Sequence, residues 1–198
     1  MRSLAWSLAL FVTLGGCASS PPSQFYTLSA AAAPGVTPVA RTEYGIVVGP
    51  AAVPESVDRP QLVLRLSENR VRIVEQARWA EPLASAIPEV IAGELARLLN
   101  SSRVMAYPQN PEGFDYQVLL QVLRFDSTLD DAATLEVVWT LRPSHGGEPA
   151  FGRMLVHERV DGAGYEALVA AHSRALRAVS AEIAATIRRR QDARILHS

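Results

Sequence analysis

From Tyr165 to Ile187 the chain carries one unbroken apolar stripe. Tyr165, Leu168, Val169, His172, Leu176, Val179, Ile183 and Ile187 recur at helical spacing, while Glu166, Arg174, Arg177 and Glu182 fall on the opposite side. A helix with so long an apolar face, predicted over about 164–192, must bury that face against a second layer. Arg188, Arg189 and Arg190 lie near its C-terminal end, where cations complement the helix dipole.

The second layer is legible in runs of period two. Leu135, Val137, Trp139 and Leu141 alternate with polar residues, broken only by Val138. Tyr116 to Phe125 and Phe151 to Val160 read as strands on either side, and Pro143 to Pro149 is a turn. These three strands are expected as an antiparallel meander. Leu62–Leu66 and Val71–Glu75 form a hairpin around the polar tip Ser67-Glu68-Asn69-Arg70. Phe25–Leu28 and Gly45–Gly49 are short strands, the latter ended by Gly49-Pro50. Ile87, Ile91, Leu95, Leu98 and Leu99 share one helical face, and Pro82 suits a first turn. Pro88 requires this helix either to start near Ser85 or to kink, and Asn100-Ser101-Ser102 ends it. The expected fold is α+β: a two-layer sandwich with a mostly antiparallel sheet packed by two main helices, about 81–100 and 164–192.

The N-terminus assigns this domain a compartment. Arg2 leads into an apolar run from Leu4 to Leu14, then Gly15 and Gly16 precede Cys17, the only cysteine. The run is short of the roughly 20 residues that span a bilayer and matches a signal-peptide core. Leu14-Gly15-Gly16-Cys17 therefore reads as a lipobox, with Cys17 as the lipid-attachment residue. Residues 1–16 are expected to be a lipoprotein signal peptide, 17–24 an acylated N-terminus and tether, and 25–198 a single periplasmic domain. Ala18 is not the Asp that retains lipoproteins at the inner membrane, so the outer membrane is the expected site. With a net charge of −1 there is no basic excess for nucleic acid.

Catalytic chemistry is hard to find. His145, His157, His172 and His197 are scattered, without a metal-ligand spacing. His172 lies on an apolar stripe and reads as a packed side chain. His157 and Glu158 are neighbours in a strand and point to opposite faces. Asp161-Gly162-Ala163-Gly164 reads as a turn into a helix, and Asp130-Asp131 as solvated turn residues. No Gly-x-Ser-x-Gly frame occurs. No enzyme activity, cofactor or metal is expected.

Ser56-Val57-Asp58-Arg59-Pro60-Gln61-Leu62-Val63-Leu64-Arg65 and Arg78-Trp79-Ala80-Glu81-Pro82-Leu83 resemble the PqiC/YmbA family of ABC-type transport auxiliary lipoproteins. The order of features agrees: the lipobox, Tyr26-Thr27-Leu28, Gly45-Ile46-Val47-Val48-Gly49-Pro50, these two segments, a late Trp139 strand and a long final helix. The resemblance implies an outer-membrane periplasmic domain whose partners are an MCE-domain protein and inner-membrane ABC transporter or permease subunits, which together carry lipid between membranes. It also implies a homo-oligomeric ring in some members.

Asp58, Arg59, Pro60, Trp79, Glu81 and Pro82 are the motif residues, with a partner-interface or a structural role. Pro60 belongs at a strand's beginning. Arg59 is placed to pair with Asp58 or Glu81. Trp79 either staples the following helix onto the sheet or anchors an interface. An alternative reading is a structural envelope lipoprotein of another outer-membrane assembly pathway, linked to lipopolysaccharide or peptidoglycan, whose arginine-rich end contacts anionic polymers.

Overall fold

The computed structural model describes residues 21–31, 44–107 and 113–195; the lipobox, Cys17 included, and His197 lie outside the described residues. The elements run β1 (Gln24–Tyr26), β2 (Ile46–Ala52), β3 (Gln61–Ser67), β4 (Arg70–Trp79), α1 (Leu83–Leu99), β5 (Val104–Ala106), β6 (Tyr116–Thr128), β7 (Ala132–Pro143), β8 (Ala150–Arg159) and α2 (Gly164–Ile195). The fold is α+β. Val48, Val118 and Leu141 stand in register across β2, β6 and β7 and join α1 and α2 in one core. Both helices therefore cover the same face of the sheet.

The predicted hairpin is β3–β4, and the predicted meander is β6–β7–β8, all antiparallel. These long pairings make up most of the sheet, which is nonetheless mixed. Shorter parallel ladders add β1 to β4, and β2 to both β5 and β6. β6 is the spine. One of its edges is covered by β7 throughout, while the other is shared between β2, over Tyr116–Gln121, and β3, at Ser127. Residues 53–60 lead from β2 to β3 across this fork, which is how the motif segment reaches its place.

Local chemistry explains the departures from expectation. β2 does not stop at Gly49-Pro50. It continues to Ala52, with its register shifting between Val48 and Ala51, so the proline without an N–H falls where the ladder is interrupted. α1 starts at Leu83 with Pro82 at its N-cap, and it retains Pro88 in its interior. Asn100 ends it in the left-handed conformation (φ 50°, ψ 44°). α2 begins at Gly164, whose amide donates to Asp130 Oδ1 at 3.1 Å. Asp130 is thus more than a solvated turn residue: it satisfies a free amide at the start of α2. Among the described residues no helix is long and apolar enough to cross a membrane.

Candidate functional site: the motif corner

Three segments far apart in sequence meet at one corner of the sheet. Tyr26 of β1 pairs with Trp79 of β4, and the Ala80 amide donates to the Tyr26 carbonyl at 2.8 Å. The Trp79 amide donates to the Pro60 carbonyl at 2.7 Å. These bonds fix Asp58-Arg59-Pro60 against Trp79-Ala80-Glu81-Pro82, and the two segments line a concavity of about 390 Å³. Every motif residue picked from sequence lines it. Pro60 stands immediately before β3, at a strand's beginning.

The rim of the concavity is charged. Asp58 and Arg59 are exposed, held by turn bonds from their amides to Pro54 and Val57 carbonyls at 3.0 and 2.9 Å. The expected ion pair of Arg59 with Asp58 or Glu81 does not form among the described residues. Glu81 instead accepts from Thr27 Oγ1 at 3.4 Å. The exposure of Asp58 and Arg59 leaves their charges to water or a partner.

The floor of the concavity is closely packed. Trp79 is buried, with its ring edge-on to Phe125 of β6 at 5.9 Å and to His172 of α2 at 6.5 Å. It ties the sheet to α2 as well as adjoining the start of α1. His172 stacks on Phe125 at 3.9 Å, and its Nε2 lies 2.8 Å from Ser127 Oγ. Burial drives this imidazole down to about 3, only partly opposed by the Asp126 carboxylate, so it is neutral. Its Nδ1 is buried without a partner. A bare lone pair there is less costly than a stranded N–H, which assigns the proton to Nε2 and makes Ser127 Oγ the acceptor.

Beside the corner, residues 27–31 form a strap over the helices. Ser29 N donates to Ser173 Oγ of α2 at 3.2 Å, and Ala31 N to Glu94 Oε1 of α1 at 2.5 Å. Gly93 lets the strap lie close, since a β-carbon there would come within 3.1 Å of Ala30 Cβ. Glu94 is fully buried and also accepts from Arg97 at 2.8 Å and Arg177 at 3.3 Å. Burial raises the Glu94 carboxyl, but the Ala31 amide and the two guanidinium groups outweigh it, and the net shift is downward. Sequence reading passed over Glu94. The signal was its position inside the apolar stripe of α1, three residues after Ile91 and four before Leu98.

Other candidates resolve into structural roles. His157 is exposed and 2.9 Å from Thr134 Oγ1, while Glu158 meets Arg174 at 3.4 Å on the other face. Arg188 donates to the Leu98 carbonyl at the end of α1, Arg190 to the Glu148 carbonyl, and Arg189 to Thr186 at 2.8 Å. Among the described residues no group of three metal-ligating side chains occurs. The corner offers a concave shape, a buried indole and exposed charges of both signs.

The family profile for the ABC-type transport auxiliary lipoprotein component matches residues 26–184. No curated protein matches the chain. Among solved structures, protein XCC0632 from Xanthomonas campestris, of family DUF330, is 20% identical with a TM-score of 0.68, covering 87% of this chain and 99% of its own. A crystal structure of an uncharacterized protein is 19% identical at the same TM-score of 0.68, covering 84% and 99%. These two share the fold. The profile spans the motif corner, the spine strand and most of α2, and the chain belongs to the family of ABC-type transport auxiliary lipoprotein components.

Proposed function

We propose that this protein is a non-enzymatic auxiliary lipoprotein of an MCE/ABC-type intermembrane lipid transport system. It is held on the periplasmic face of the outer membrane through Cys17 after removal of residues 1–16. The observation that carries this reading is the convergence of Tyr26-Thr27, Asp58-Arg59-Pro60 and Trp79-Glu81-Pro82 on one exposed corner, within a chain matched by the family over 26–184. A buried indole under a rim of exposed charges is a suitable seat for a protein partner. The alternative, an assembly lipoprotein gripping anionic polymers, drew on Arg188, Arg189 and Arg190. Each of these is engaged within the chain.

A photo-crosslinking residue at Arg59, compared with one at Arg70 on the hairpin tip, tests the corner in cells. The expected result is capture of an MCE-domain protein from position 59 and not from position 70. Capture of no envelope protein at position 59 overturns the docking reading.

A further inference from the structure

We infer that the β1 edge, centred on Phe25, is the face this protein lays against the phospholipid bilayer that holds its anchor. The inference rests on the proposed acylation of Cys17. About seven peptide units separate Cys17 from Gln24, and fully extended they reach roughly 25 Å. Peeling β1 away adds only the residues before the first strap bond, at Ser29. Behind β1 the strap is bonded to Ser173 and to the buried Glu94, and releasing it would remove the Ala31 amide from a carboxylate with no access to water. The short tether keeps this edge near the headgroups.

The edge carries a side chain suited to that place. Phe25 is 65% exposed on a three-residue edge strand. Its ring gains by leaving water at the boundary between headgroups and acyl chains. The far edge of the sheet offers an internal comparison. Phe151 on β8 is 69% exposed, so exposure alone does not separate the two rings. Position does: from β1 through β4, β3, β6 and β7 to β8 is five strand spacings, roughly 24 Å. The tether leaves the fold at the β1 edge itself, and the β8 edge lies a sheet's width farther from that point of attachment. The motif concavity, bonded to β1 through Tyr26 and Ala80, then opens at the membrane surface.

The test uses the acylated full-length chain in vesicles of phosphatidylethanolamine and phosphatidylglycerol. Thioether formation consumes the Cys17 thiol, so Phe25→Cys or Phe151→Cys supplies the sole site for an environment-sensitive NBD label. Both positions are exposed, so both variants keep the core intact. The expected result is a blue-shifted emission from position 25, quenched by nitroxide-labelled lipid several-fold more than emission from position 151. If the protein floats with the vesicles and position 25 is as water-like as position 151, the bilayer-facing edge is wrong and Phe25 is left for a protein partner. If the protein does not float with vesicles, the anchor fails and this inference fails with it.

Discussion

Protonating His172 would put a charge among Phe125, Trp79 and the core face of α2, with a single hydroxyl to receive it. Its basicity falls from about 6.5 in the unfolded chain to about 3 in the folded one. As pH drops below about 6.5 the unfolded chain takes up the proton first. Stability that is fully present above that value is lost progressively until about pH 3, with a slope approaching about 1.4 kcal/mol per pH unit. Glu94 acts lower. Its depressed carboxyl contributes stability that is present above the usual carboxylate range and is lost as pH falls through it. The window between about pH 6.5 and 4.5 therefore belongs to His172. His172→Phe should flatten the dependence of the urea midpoint on pH in this window. At neutral pH it should be destabilised by about 1–3 kcal/mol, because Ser127 loses its partner. An unchanged slope would show that another group governs the acid response.

At the scale of elements, the meander depends on a missing side chain. Gly152 of β8 lies directly opposite Trp139 of β7, and a β-carbon on it would be 2.2 Å from Trp139 Cζ2. The indole occupies the volume that any other residue at 152 would need. Gly152→Ala should destabilise the domain by about 1–3 kcal/mol. Combining it with Trp139→Phe should cost less than the two single changes added together, as read from urea unfolding curves.

The sequence showed the pairing of these strands but not this contact. Alternation identified β7, and turn residues bounded it, because both signals are local. The hairpin and α2 were legible for the same reason. β5 was missed: three residues, Val104 to Ala106, are too few to show a period, and their partner is β2, more than fifty residues earlier. The parallel ladders were missed likewise, since nothing within a strand names a distant parallel neighbour. At the corner, the motif residues were visible as a resemblance, but their meeting depends on β1 joining β4 and on residues 53–60 crossing the fork of β6. Glu94 was hidden because a carboxylate within an apolar stripe becomes informative only once Ala31, Arg97 and Arg177 are seen around it.

For the whole molecule, attachment and folding are separable. The described residues form a hydrophobic core of their own, and the proposed anchor is a single residue outside them. One acyl chain holds a protein only marginally and two or more hold it stably, so removing the acceptor thiol removes the attachment. Cys17→Ala, exported behind an ordinary cleavable secretory signal in place of residues 1–16, should appear in the soluble periplasmic fraction and not with membranes, with an unchanged far-ultraviolet circular dichroism spectrum. Continued sedimentation with membranes would point to a different means of attachment.

The strap of residues 27–31 also sets the path of mechanical load. A pull through the proposed Cys17 anchor would enter at Gln24 and run along β1, loading its bonds to β4 together in shear. Within a few residues it divides, through Ser173 into the long helix and through Glu94 into the short one. The meander at the other end of the sheet lies off this line. Undulation of the lipid surface would strain the helical layer first, leaving the far strands as a still platform.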